Sequence, residues 1–241
     1  MNLSLAIIST SSLWDRTLSL LSSSCLKDYD FSVYANEDRL FHSRYKYDQS
    51  TASLWEEQVQ PILPGLLDNL VRSKCQTTSL QFTLPRSLSY GEISVLSKHY
   101  RAIKAFLNTD NSQLMVMEDD VIFDLPSFEV IEKFVASNSF DYVDFAGGDG
   151  INCYESKLES VQGITGERNL LKSTRTACCY LISKRFAYQL SSCLYGPVLP
   201  IDWAISYALT LLKDSSVFWV DDKLFLHGSC IGSHLSWRSQ C

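Results

Sequence analysis

Three carboxylates stand side by side at Glu118, Asp119 and Asp120, directly after the apolar run Leu114 to Met117 and directly before Val121, Ile122 and Phe123. At ~5 Å separation and an effective dielectric of ~20, each like-charged pair costs roughly 3 kcal/mol. A cation nearby is expected to offset that repulsion. A divalent metal is one source, and oxygen-only ligands point to Mg²⁺ or Mn²⁺. The other source is a Lys or Arg against a solvated acidic turn. The position favours the metal, because ligands of open α/β sheets bind at the carboxyl ends of the strands.

The elements around the triplet must bring it to such an edge. Leu114 to Met117 reads as a strand buried on both faces, since its apolar residues do not alternate with polar ones. Leu3 to Ser9 and Phe31 to Ala35 read as two earlier strands around a helix that carries Arg16 near its start, a βαβ-like opening. Ala52 to Arg72 is expected as a helix broken at Pro61 and Pro64. Ser89 and Glu92 form an S-x-x-E capping box, and Ile93, Leu96, Tyr100, Ile103 and Leu107 share one face of the helix that follows. A further helix starts near Pro126. Tyr142 to Ala146 and Thr176 to Ser183 read as strands, Lys184 to Leu194 and Ile201 to Leu212 as helices, and Val217 to Val220 and Leu224 to Leu226 as short strands. Ile151 to Lys172 is polar and is expected to be an irregular excursion over the sheet.

At 241 residues, 46% hydrophobic and 20% charged, the chain suits one globular domain with a sizeable core. A net charge of -6 argues against non-specific nucleic-acid binding. No apolar run reaches the ~20 residues that cross a bilayer, and Met1 to Ser12 lacks the basic region of a secretory signal. The eight cysteines show no CxxC pair and no zinc-like spacing. Cys178, Cys179 and Cys193 are expected as small core hydrophobes in a reduced, cytoplasmic protein.

Four stretches in order resemble the family 25 glycosyltransferases, which include lipooligosaccharide and collagen galactosyltransferases. Gly91-Glu92-Ile93 with His99 is similar to the family's G-E-I-G-C-x-L-S-H helix. Met117 to Val121 matches its E-D-D-V hallmark, and Cys179 to Lys184 is similar to its G-Y-(I/L)-I-S-R strand. Pro200-Ile201-Asp202 occupies the place of a segment carrying an aspartate, and the opening strand with Arg16 is a weaker match. The agreement spans roughly Ser89 to Tyr207. Ser94-Val95, Lys98 and Cys179 depart from the pattern, which bears on acceptor and sugar more than on fold.

The resemblance implies an α/β, GT-A-type, Rossmann-like nucleotide-sugar-binding fold, a single domain over residues 1–241 with a mixed sheet. It implies a UDP-sugar donor, a saccharide or lipid-linked saccharide acceptor reached with peripheral contact to a membrane, and inversion at the sugar carbon. On that reading Asp120 is a direct ligand of Mn²⁺ or Mg²⁺. Glu118 and Asp119 support the ligand or accept hydrogen bonds from ribose and sugar hydroxyls, because neighbours along a strand face opposite ways. His227 and His234, in a polar C-terminal tail, are candidate further ligands. His99, beside the apolar stripe of its helix, is either a donor-binding group or a satisfied core histidine. Arg175 and Lys184 are candidates to face donor phosphate. The base that takes the acceptor proton is Asp202 first, in a helix first turn where a carboxylate is also an ordinary cap, and Asp149 of the Gly147-Gly148-Asp149-Gly150 turn second. Two other functions fit the same acids. One is a sugar-nucleotide-binding homologue without activity. The other is a metal-dependent phosphohydrolase or nucleotidyltransferase, for which Asp221-Asp222 is the second acidic pair.

Overall fold

The run Leu114 to Met117 is buried on both faces, each side chain at most 1% exposed, and the sheet is built outward from it. The computed structural model describes residues 3–10, 16, 17, 20, 31–36, 90–123, 125–146, 158–161, 164–168, 174–194, 199–220 and 225–228. Among these the chain forms β1 (Leu3–Thr10), β2 (Phe31–Asn36), α1 (Tyr90–Leu107), β3 (Gln113–Glu118), β4 (Val121–Phe123), α2 (Leu125–Ser137) and β5 (Tyr142–Asp144). It continues with β6 (Leu158–Val161), β7 (Ile164–Arg168), β8 (Cys179–Ser183), α3 (Lys184–Cys193), α4 (Ile201–Leu211), β9 (Val217–Val220) and β10 (Phe225–His227). Ser89, the proline-broken helix of Ala52 to Arg72, and Asp221-Asp222 lie outside the described residues.

Eight strands form one mixed sheet in the order β2-β1-β3-β8-β5-β9-β7-β6. β1 pairs in parallel with both β2 and β3, β5 with β9, and β8 runs antiparallel between β3 and β5. This is the α/β, Rossmann-like mixed sheet that the resemblance led us to expect. Period-two alternation divides the strands between two cores. Ala6, Ile8, Leu114, Val116, Tyr180 and Ile182 face α1, α3 and α4. Leu3, Leu5, Ile7, Met115, Met117 and Leu181 face α2 and Phe225 of β10. Fully burying each such aliphatic side chain contributes about 1.5–3 kcal/mol, so a one-residue slip of β3 would exchange both faces at once.

Two helix starts follow from local chemistry. Ser183 caps α3, its Oγ accepting from the Phe186 N–H at 3.1 Å, which satisfies one orphan donor of the first turn. Pro200 precedes α4 and needs no partner for the N–H it lacks.

Two expectations are corrected. The stretch Ile151 to Lys172 is not wholly irregular: β6 and β7 form an antiparallel hairpin, Val161 opposite Ile164, and β7 extends the sheet against β9. The polar composition of the two strands hid this pairing. His227 does not lie in a polar tail. It ends β10, which pairs with β4 so that His227 stands opposite Val121.

Candidate functional site

Because β8 alone is reversed among β2, β1, β3, β8, β5 and β9, its amino end shares an edge with the carboxyl ends of the other five. Chain order also reverses at β1, with β2 on one side and β3 on the other. Such a switch point opens the crevice where ligands bind in open α/β sheets. Glu118 ends β3 there, opposite Ile8 of β1. Its N–H donates to the Cys178 carbonyl at 2.7 Å, and the Asp119 N–H donates to the Ile8 carbonyl at 2.9 Å. The chain then turns into β4 through Asp119 and Asp120.

The turn separates the three acids. Asp119 is ion-paired with the Arg16 guanidinium and lies 3.5 Å from the Thr17 hydroxyl, which is itself hydrogen-bonded to Ser9. Asp120 turns the other way. Its Oδ2 is 3.2 Å from His227 Nε2, its Oδ1 accepts from the Cys178 thiol at 3.6 Å, and its carbonyl accepts from the Gly228 N–H at 2.9 Å. A basic side chain therefore offsets the charge of Asp119, while Asp120 lies among side chains of metal-ligand type. One ligand atom from each of Glu118, Asp120, Cys178 and His227 lies within 4.8 Å of all the others. Asp120 and Cys178 are buried, Glu118 and His227 half-buried.

A second set of side chains stands behind Glu118. His99, on α1, is fully buried; its Nδ1 is 2.8 Å from the Tyr180 hydroxyl and its ring stacks on Tyr180 with centroids 5.7 Å apart. Its Nε2 makes no hydrogen bond and lies 3.5 Å from Glu118 Oε1. Burial, and then the Glu118 carboxylate, pushes the Tyr180 phenol well above its ordinary value. Tyr180 therefore keeps its hydroxyl proton and shares a hydrogen bond with His99 Nδ1, while the other ring nitrogen faces Glu118. Burial likewise pushes the Cys178 thiol well up, reinforced by Asp120 and Glu118, so without a cation Cys178 is a thiol.

The remaining expected residues lie elsewhere. Arg175 is turned inward. Its guanidinium donates to Asp144 Oδ1 from Nε at 3.2 Å and from Nη2 at 3.0 Å, its Nη2 also donates to the Asp144 and Val220 carbonyls, and it stacks over Trp219. Asp144, fully buried, also accepts from the Arg175 N–H and the Thr174 hydroxyl. Arg175 therefore ties β5 to β9 rather than reaching toward the Glu118 group. Lys184 sits at the opposite edge of the sheet, bonded to the Thr109 carbonyl, because the reversal of β8 carries its carboxyl end away from the acids. Asp202 is half-buried in the first turn of α4, as expected, and is not part of the four-residue group. Asp149 and His234 lie outside the described residues. Cys178 is the group member that sequence reading missed. Its spacing carries no metal pattern, and only its place at the start of a reversed strand beside β3 sets it against Asp120.

No protein-family model matches the chain, and no curated protein matches it. Among solved structures it is similar to S. aureus TarS residues 1–349, at 13% identity and TM-score 0.48 over 94% of this chain and 60% of that one. The same TarS fragment in complex with UDP-GlcNAc aligns at 14% identity and TM-score 0.47, over 98% of this chain and 62% of that one. A 4-diphosphocytidyl-2C-methyl-D-erythritol synthase from Anaerococcus prevotii aligns at 10% identity and TM-score 0.43, over 92% and 88%. The chain spans about three fifths of the TarS fragment it matches. Among the described residues no helix is long and apolar enough to cross a membrane.

Proposed function

We propose that the chain is a metal-dependent glycosyltransferase that moves a hexose from a UDP-sugar to a saccharide or lipid-linked saccharide. The observation that carries this reading is the convergence of Glu118, Asp120 and His227 at the carboxyl edge of the sheet, beside the switch point between β1 and β3. These three residues fit a divalent cation by donor type. The imidazole favours a transition-series ion such as Mn²⁺ over Mg²⁺. When bound, the cation neutralises charge that develops on a departing nucleoside diphosphate.

The chain's own residues supply the rest. His99, held by Tyr180, stands 3.5 Å from Glu118 Oε1, placed to orient that carboxylate. Arg16 and Thr17 fix the turn that presents Asp120, and they hold Asp119 at the switch point, where its carboxylate can accept a sugar or ribose hydroxyl. Asp202 takes the acceptor hydroxyl's proton, with Asp149 as the second candidate. The narrower assignment, family-25-type hexosyl transfer with inversion by one displacement, rests on the four sequence motifs.

Incubation with UDP-hexoses and Mn²⁺ should release free UDP, slowly without acceptor, and EDTA should abolish the release. Full turnover in chelator would overturn the metal-dependent mechanism. Release of inorganic phosphate would instead assign a phosphohydrolase, and release of pyrophosphate from a nucleoside triphosphate a nucleotidyltransferase.

A further inference from the structure

Three of the four converging donors suffice for the proposed function, and the fourth is a sulfur. Cys178 precedes β8, is 1% exposed, and directs its Sγ to Asp120 Oδ1 at 3.6 Å. The backbone fixes it there, since the Cys178 carbonyl accepts from the Glu118 N–H at 2.7 Å and the next residue, Cys179, stands opposite Met117 in the ladder. We propose that Cys178 is the fourth ligand of this site and makes it selective for a thiophilic divalent cation of the zinc or cobalt class. The inference rests on the cation-holding role of Glu118, Asp120 and His227 proposed above, and it names which cation that role selects.

Donor chemistry gives the reason. Two carboxylates, one imidazole and one thiolate suit Zn²⁺ or Co²⁺, which accept mixed nitrogen, oxygen and sulfur ligands in four-coordinate geometry. Mg²⁺ demands near-octahedral oxygen and gains nothing from sulfur. A thiophilic cation held by Glu118, Asp120 and His227 would take Cys178 Sγ as a thiolate, its proton leaving to solvent. The site has room to tighten, because its donor atoms are spread over as much as 4.8 Å.

His99 is an independent sign that the group is built for an occupant. Its Nε2 is buried, makes no hydrogen bond and lies 3.5 Å from Glu118 Oε1. A small shift of Glu118 toward this nitrogen would bring the two within hydrogen-bond distance and fix the carboxylate's orientation. Outer partners of this kind hold metal ligands in place, and losing one costs about 10–100-fold in metal affinity.

The test uses the full chain stripped of metal by chelation and titrated with Co²⁺ and with Zn²⁺ alone. Cobalt should give a thiolate-to-metal charge-transfer band in the near ultraviolet that Cys178→Ser removes while visible ligand-field bands persist. Cys178→Ser should lower Zn²⁺ affinity by about 10-fold or more and change Mn²⁺ affinity far less, so the preference for zinc narrows. His99→Gln should weaken both ions together. In the unsubstituted chain, bound Zn²⁺ should shield Cys178 from alkylation, read by peptide mass spectrometry, which requires no variant to fold. A parent without the band, a Zn²⁺ affinity unchanged in Cys178→Ser, or alkylation of Cys178 undiminished by Zn²⁺ would overturn the proposal. Should Mn²⁺ and a UDP-sugar still bind in that case, the glycosyltransferase reading stands and only the sulfur ligand falls. If neither Co²⁺ nor Mn²⁺ binds at all, both fall.

Discussion

Adjacent aspartates at 119 and 120 carry opposite kinds of work, and single substitutions can separate them. Asp119 is almost fully buried against Arg16. Removing one partner of a buried pair leaves an uncompensated charge and costs ~3–5 kcal/mol. Asp119→Asn should therefore lower the melting temperature of the metal-free protein by about 6–20 °C, at roughly 2–4 °C per kcal/mol for a chain of this size. Asp120 faces His227 and the Cys178 thiol and is crowded by Glu118. Asp120→Asn keeps the shape and relieves repulsion, so metal-free stability should stay level or rise while metal-linked donor binding disappears. Calorimetry of both variants with and without Mn²⁺ measures this, and a drop in metal-free Asp120→Asn as large as that of Asp119→Asn would make Asp120 structural. For Asp202, kcat should fall about 10²-fold or more in Asp202→Asn, the usual worth of a positioned base, with donor affinity little changed. A near-normal kcat would return Asp202 to a role at the start of its helix.

At the scale of elements, a second buried ion pair helps to hold the carboxyl edge of the sheet. Arg175 and Asp144 join β5 to the carbonyl of Val220 at the end of β9. Burial holds the Asp144 carboxyl above its ordinary value, and Arg175 is the largest influence pulling it down. In Arg175→Met that pull is gone, so the folded-state value rises further above the unfolded one. A group raised in this way favours the folded state when protonated, and that contribution is lost as pH rises through the folded value. The stability deficit of Arg175→Met should accordingly be greatest at neutral pH, ~3–5 kcal/mol, and should shrink as pH falls. Urea unfolding of parent and variant across pH reads this directly. A deficit that does not change with pH would mean that Asp144 is solvated in the variant.

For the whole molecule, a ligand that binds only the folded chain raises its stability by mass action, about 2.7 kcal/mol at 100 times its Kd. Mn²⁺ together with the right UDP-sugar should therefore raise the melting temperature by roughly 5–10 °C at 2–4 °C per kcal/mol, more than either alone, since each helps to hold the other. A screen of nucleotide-sugars by thermal shift thus identifies the donor without an acceptor. Equal shifts for every UDP-sugar and for UDP itself would show that the sugar is not read by the folded chain.

Much of this architecture was legible along the chain because it depends on neighbours in sequence. The unbroken apolar run of β3 and the 3.6-residue stripe of α1 each express a local pattern. The acids at the end of β3 announced a demand for positive charge. What met that demand depended on pairing. The cation beside Asp119 comes from Arg16, 103 residues away, and the thiol beside Asp120 from 58 residues away. His227 reaches Asp120 only because β10 pairs with β4. The hairpin of β6 and β7 stayed hidden because its polar strands are stabilised by joining β9 rather than by a period of their own. Strand order and the reversal of β8 are set by the mutual burial of two faces across the whole sheet. Local sequence therefore determined that charge had to be offset at Glu118, Asp119 and Asp120, and long-range strand pairing determined which side chains meet them.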